Sequence, residues 1–442
     1  MLKRYDRLST DEICLVILMV GFFLRMIYAI RVGYDYSPHD LGVLTSPGKE
    51  GFGHLAYIQY LYENHAFASV YMGQFYHPPL FYIAGAMLAA LFRVRMDYAP
   101  AFEALQQLNM AMSCVGTYYA YKIAGKVCRN DRFLIAAAIY LAFCPAFYVI
   151  GAELNSDCFV TVFQIMAVYY TIVWLEESTV RNILRIAVCI ILAMLSKTSG
   201  VIIAGAIGCC FLWRIIDRKS EWKNLLKQYA VFGAVSIPLG LSWEIRKVLV
   251  LGAPLGYIMR LPVTHQQYVG DLSLGERLAF PYHLGLCYQS IDFSDPAYHC
   301  NIWTQMFYTM NYDENLILGT SGAASLFFYR LLFYVSIVLY IMLADMLIRA
   351  LFDKSICMGL RLAVCLNYLI YLAFFIVFSF NYPHICSMNF RYIVLTAVLL
   401  ILGYGLYYSR HYDKRILNNA VLILIAVQSI SASMLYLIWP RI

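Results

Sequence analysis

Eleven apolar stretches begin near residues 13, 101, 132, 157, 182, 199, 228, 326, 361, 392 and 416. Each is long enough to cross a bilayer as a helix, which takes about 17–25 residues. A twelfth, Leu80 to Phe92, is shorter; His77-Pro78-Pro79 opens it and Arg93 and Arg95 close it. Its length suits a surface or re-entrant helix. In Gly53 to Phe67, Leu55, Ile58, Leu61 and Tyr62 keep helical spacing and predict a second such helix. The first long run, Ile13 to Ile30, follows Met1-Leu2-Lys3-Arg4 and lacks a small-residue cleavage site, so it reads as a retained span.

Charge gives these spans a direction. With the N-terminus inside and 80–92 not crossing, the cytoplasmic segments are 1–12, 122–132, 176–185, 214–227, 349–361 and 409–415. They hold 20 of the 33 Lys and Arg, as the positive-inside trend requires. If 80–92 crossed, Arg214, Arg218, Lys219, Lys223 and Lys227 would face outward. The expected architecture is an all-α polytopic membrane protein with about eleven spans, N-terminus in and C-terminus out. Two long outer loops, 33–100 and 246–325, divide it: residues 1–245 form one membrane module around the first loop, 246–325 the second loop, and 326–442 the closing spans.

Composition agrees. Of 442 residues, 62% are apolar and 13% charged, against about 25% charged in soluble domains. A soluble enzyme, a nucleic-acid-binding protein and a secreted disulfide scaffold are excluded; the net charge of +7 follows from basic loop ends and needs no nucleic acid. Most of the thirteen cysteines lie in apolar runs and read as small buried hydrophobes. Cys287 and Cys300 share the second outer loop and are able to pair if it is extracytoplasmic.

Charged residues are sparse at mid-span: Asp345 lies near an inner end, Arg25 and Arg330 near outer ends. A secondary transporter or lipid flippase, the alternative function, usually keeps ionisable groups near the bilayer centre. Here the reactive groups gather in outer loops, as in an enzyme at the outer interface. A general base needs a carboxylate or imidazole within reach of a hydroxyl proton; His39, Asp40, Glu50 and His54 all qualify, although most loop carboxylates are merely solvated.

Asp40, then Gly53-His54-x-x-Tyr57-Ile58, then Tyr76-His77-Pro78-Pro79-Leu80 resembles the glycosyltransferase C superfamily. The nearest group is that of protein O-mannosyltransferases and lipid A aminoarabinose transferases, including a bacterial branch with His-Asp ahead of Gly-His-x-x-Tyr-Ile. The resemblance is strongest over 36–92 and continues to about 200. It implies a polyprenyl-phosphate-linked hexose or pentose as donor, inversion at the sugar carbon, and an essential Asp in the first outer loop. That role falls to Asp40, with Glu50 as runner-up. His39 and His54 are expected to orient substrate or metal. The mannosyltransferases' Asp-Glu pair ahead of the Tyr is replaced here by Gly53 and His54.

The turn Gly151 to Asp157 faces the same side as Asp40 by parity. Glu153 and Asp157 could bind a divalent metal through oxygen or orient the acceptor or a cation; equally, Asn155 or Asp157 could cap the next helix. A departing lipid phosphate needs cations where water is sparse. Lys197, Arg246, Lys247 and Arg391 lie at outer span ends, and the resemblance favours Lys197 and Arg391. The plain alternative is snorkelling to headgroups. His77 bonds phosphate or orients its loop. The aromatic second loop either stacks on sugar or forms an interfacial belt. The partners expected are the lipid-linked donor, the membrane, and a glycan, lipid or protein acceptor of unknown identity; no nucleic acid is expected. The setting is the bacterial cytoplasmic membrane in preference to the endoplasmic reticulum.

Overall fold

The computed structural model describes residues 9–35, 53–70, 72–95, 97–279, 301–313 and 323–438. Every one of the eleven apolar stretches folds as helix. The elements are α1 (Thr10–Val32), α2 (His54–Asn64), α3 (Leu80–Leu91), α4 (Ala99–Val127), α5 (Asp131–Phe143), α6 (Pro145–Ala152), α7 (Asp157–Glu176) and α8 (Val180–Ser196). There follow α9 (Ile203–Asp217), α10 (Trp222–Leu251), α11 (Leu274–Leu278), α12 (Ile302–Asn311), α13 (Ala323–Phe352), α14 (Met358–Asn381), α15 (Leu395–Tyr408) and α16 (Arg415–Ile438). Among the described residues seven spans are long and apolar enough to cross a membrane, eight with the bent pair Ile385–Ile393 and Leu395–Tyr408. The other three expected spans are also helices: α8 has 17 residues, while α4 and α10 carry more polar side chains on 29 and 30 residues.

Burial sorts the helices. All of α15 is buried, as expected of a helix that is apolar on every side. It packs against α13, α14 and α4. Helix α1 lies at the rim, where Leu15, Val16, Phe23 and Ile30 are exposed; an apolar surface of this kind suits lipid. Outside the spans, α2 and α3 pair tightly. A Cβ on Gly85 would come within 2.8 Å of the Ile58 side chain, so the glycine permits the close approach. Helix α3 is the short apolar helix foreseen in the sequence, and α2 is the predicted companion, ending near Asn64 where His65 turns left-handed.

The second outer loop is structured where it is described. Residues 253–272 run without regular structure and are tied to the turn after α14. Val269 N–H donates to Pro383 O (2.9 Å), Ile385 N–H donates to Gln267 O (3.0 Å), and Tyr268 forms a bridge with His384. Helix α12 packs on α13 and α6. Cys287, Cys300, His39, Asp40 and Glu50 lie outside the described residues.

One buried charge shows how the bundle handles a broken helix. Pro145 has no N–H, so the Leu141 carbonyl one turn earlier loses its helical donor. Arg25, 1% exposed, fills the gap: Nη2 donates to Leu141 O (2.6 Å) and Ala142 O (2.8 Å), and Nη1 to Ser113 Oγ (3.4 Å). Its guanidinium also lies 5.3 Å from the Phe147 ring centroid. Arg25→Met leaves these carbonyls without a donor and is expected to cost on the order of 2–4 kcal/mol, seen as a lower thermal midpoint in detergent. Arg25→Lys should recover part of it. An unchanged midpoint for Arg25→Met would refute the capping role.

Candidate active site

Four span ends, the start of the surface helix α2 and two further segments meet around one cavity of about 640 Å³. They are the N-termini of α2, α7 and α15 and the C-termini of α8 and α14, with the 73–77 turn and the 258–267 segment. All were assigned to the outer side by the charge pattern. Their convergence puts all of them together around one cavity.

The polar end is built from α7, α8 and the turn before α15. Asp157 opens α7, with its backbone N–H donating to Asn155 Oδ1 (2.9 Å); Asn155 Nδ2 donates to Glu153 Oε2 (2.7 Å). Ser156 is the N-cap of α7 and makes no side-chain cap, so Asn155 braces the turn from one residue before it. It leaves the Asp157 carboxylate to face the cavity. Lys197 follows the last turn of α8 in extended conformation (φ −156°, ψ 142°), and its Nζ donates to Asp157 Oδ1. Arg391 brings Nε to 3.9 Å from Asp157 Oδ2. The Tyr392 ring serves both cations, with Lys197 Nζ at 4.6 Å and Arg391 Cζ at 5.4 Å from its centroid. Such contacts gain strength when water is excluded. Two cations against one carboxylate leave this cluster with one positive charge in excess.

Two histidines form the adjoining wall. His54 Nδ1 and Tyr82 Oη lie 2.6 Å apart, and His77 Nε2 and Gln74 Oε1 lie 2.8 Å apart. The two rings are 5.6 Å apart. Burial, reinforced by His54 and by the cations Lys197, Lys247 and Arg391, holds His77 well below the usual imidazole range. It is neutral at pH 7 and meets a ligand as a hydrogen-bonding group. The rest of the wall is largely apolar, including Val201, Ile202, Ile258, Phe374 and Phe378.

Of the expected site residues, Lys197, Arg391, Asp157, His77 and His54 come together here. Glu153 is buried behind the turn and Arg246 is not on the cavity wall. Instead, Arg246 Nη2 donates to Ala68 O (2.7 Å) and the guanidinium lies over the Phe67 and Trp243 rings. The sequence reading missed His265, Gln267 and His384, which also line the cavity. They sit in irregular segments with no periodicity to mark them. Burial lowers His384, against the Pro262 carbonyl, which raises it.

Among the described residues the donor set does not fit a resident divalent metal. Asp157 already faces two cations, and among the described residues no group of three or more His, Cys, Asp or Glu side chains is placed to hold one.

Gly200 sets the position of Lys197. A Cβ there would lie 2.3 Å from the Ala193 carbonyl, so only glycine lets the 198–202 turn fold back on α8. Gly200→Ala is expected to cost on the order of 1–3 kcal/mol in a detergent melt. Gly208→Ala, whose added carbon meets nothing within 4 Å, should melt as the wild type does. Equal melting of the two variants would contradict this account.

Residues 76–243 match the family described as dolichyl-phosphate-mannose-protein mannosyltransferase. No curated protein matches the chain. Among solved structures, ArnT from Cupriavidus metallidurans bound to undecaprenyl phosphate is 12% identical, with a TM-score of 0.43, over 96% of this chain and 75% of that one. Its apo crystal structure is 11% identical, with a TM-score of 0.40, over 95% and 77%. The matched segment carries Tyr76-His77-Pro78-Pro79, Asp157 and Lys197. Through it the chain resembles the glycosyltransferase C superfamily, in the group of protein O-mannosyltransferases and lipid A aminoarabinose transferases, and the resemblance supports an integral-membrane glycosyltransferase.

Proposed function

We propose that the chain transfers a sugar, a hexose or pentose, from a polyprenyl-phosphate donor to an acceptor hydroxyl at the extracytoplasmic face, with inversion at the anomeric carbon. The observation that carries this reading is the pairing of Lys197 and Arg391 at the polar end of a cavity whose remaining wall is largely apolar. An amphiphile with a phosphate between a greasy chain and a polar sugar has the matching distribution. The family match supports the same donor class.

In the reaction, the acceptor oxygen attacks the anomeric carbon as the bond from that carbon to the phosphate oxygen breaks. The bonding pair leaves with the phosphate, which passes from a diester with one negative charge to a monoester with nearly two. Lys197 and Arg391 stabilise this growing charge, so they act more strongly on the transition state than on the ground state. Neutral His77 supplies a hydrogen bond nearby. Asp40, with Glu50 as runner-up, takes the acceptor's proton from the opposite face, consistent with inversion by a single displacement. His39 and His54 orient the substrates; Asp157 orients the cations, with Glu153 supporting its turn. The proposed setting is the outer face of a bacterial cytoplasmic membrane.

The test presents the purified protein with radiolabelled polyprenyl-phosphate sugars and follows release of free polyprenyl phosphate together with acceptor labelling. Lys197→Met and Arg391→Met are each expected to lower kcat by about 10²–10³-fold. Asp40→Asn should keep donor binding and lose transfer. Movement of intact donor across a vesicle membrane, with no glycosidic bond made or broken, would establish a flippase and end the transferase reading.

A further inference from the structure

Near its C-terminal end, one turn before it stops at Leu251, α10 reads Trp243-Glu244-Ile245-Arg246-Lys247. As sequence, its cations look like phosphate ligands. In the structure they point elsewhere, and the segment touches four separate pieces of the cavity's surroundings. Trp243 Nε1 donates to Tyr76 O (2.9 Å), at the turn that carries His77. Arg246 holds the Ala68 carbonyl. Glu244 Oε1 accepts from the Thr198 hydroxyl (2.8 Å), one residue after Lys197. Its other oxygen accepts from Gly256 N–H (3.0 Å), at the start of the segment that supplies Ile258, Met259 and Leu261 to the cavity.

Glu244 is buried, and so is its counter-ion. Lys247 Nζ lies 2.7 Å from Glu244 Oε1, with side chains 0% and 7% exposed respectively. The ammonium also donates to Tyr257 O (3.4 Å) and Thr198 Oγ1 (3.5 Å). Both ions therefore contact the same two places, the Lys197–Thr198 turn and the 256–257 turn. A buried pair of this kind costs desolvation and is weak evidence for stability alone. Its partners here are directional, and they join the cation-bearing turn to the segment that covers the cavity.

We propose that Glu244, with Lys247, is a positioning residue that locks the 253–261 strap and the Lys197 turn into one unit, so that the lipid phosphate meets Lys197 only with the strap in place. The inference rests on the polyprenyl-phosphate reading given above. The strap's far end is held independently by Val269 and Gln267 on the 383–385 turn. Releasing Glu244 and Lys247 thus removes the buried side-chain ties at one end, where the Ala253 N–H still donates to the Lys247 carbonyl, and leaves the other end as it is.

The experiment uses the full chain in nanodiscs with two readouts: amide hydrogen exchange along 253–261, and affinity for a polyprenyl phosphate as the probe. Glu244→Gln alone leaves Lys247 buried and unpaired, so the main variant combines Glu244→Gln with Lys247→Met and removes both charges together. It should exchange about tenfold faster over 253–261, show no change over 131–143, and bind the probe about tenfold more weakly. Thr198→Val should weaken probe binding without loosening the strap, and Thr198→Ser should restore it. Added to the double variant, Thr198→Val should cause little further loss, because it acts through the same contact.

Unchanged exchange over 253–261, or unchanged probe affinity once the strap is loosened, overturns the proposal. Full additivity of Thr198→Val also overturns it, because the hydroxyl would then act directly on the ligand. A wild-type protein with no affinity for the probe overturns the transferase reading instead; faster exchange in the double variant would then still uphold the tie between Glu244 and the strap.

Discussion

A carboxylate held between two cations, largely away from water, sets the geometry on which the cavity depends. Two unit charges about 4 Å apart attract by about 4 kcal/mol at an effective dielectric near 20. Desolvating each ion costs several kcal/mol. With attraction and penalty this close, none of the three groups is suited to burial alone. Lys197 and Arg391 come from turns nearly two hundred residues apart, yet both are drawn to Asp157 and share the Tyr392 ring. The cluster thereby fixes the end of α8, the start of α7 and the approach to α15 against one another.

The same constraint shapes two other places. In a membrane interior, polar groups must find partners within the protein. Arg25 meets that demand by taking over the Leu141 carbonyl that Pro145 leaves without a helical donor, and by bonding the neighbouring Ala142 carbonyl as well. Glu244 and Lys247 meet it as a pair whose leftover hydrogen-bonding capacity goes to Thr198, Gly256 and Tyr257. Each buried charge joins segments that local helix propensity has no means of joining. Helices supply the walls, and buried charges supply the register of their ends.

Much of the fold was legible because hydropathy and helix period are local properties. The eleven apolar stretches, the short helix at Leu80–Leu91 and the companion at His54–Asn64 all follow from spacing within a few turns. Lys197, Arg391 and Asp157 were legible as a set only because charge parity placed their turns on one side. That they share an ion cluster was not, since it depends on contacts spanning 40 residues in one case and far more in the other. Arg246 shows the converse. Its position beside Lys247 at a span end is what a phosphate ligand would have, and only the packing of Phe67 and Trp243 around it reveals a different task. His265, Gln267 and His384 were missed because irregular backbone has no period to read.

The carboxylate within the cation cluster has a consequence for turnover. Two uncompensated cations would hold the departing lipid phosphate, with its nearly two negative charges, as firmly as they stabilise its formation, and product release would suffer. Asp157 reduces the excess to one positive charge, which matches the single charge of the intact donor. As the bond breaks, the added negative charge is drawn to Lys197 and Arg391 and opposed by Asp157, so stabilisation grows from a modest starting level. Catalysis profits from interactions that strengthen only as the reaction proceeds. On the transferase reading, the acidic residue among the phosphate ligands is therefore what allows the same cations to assist departure and still release the lipid.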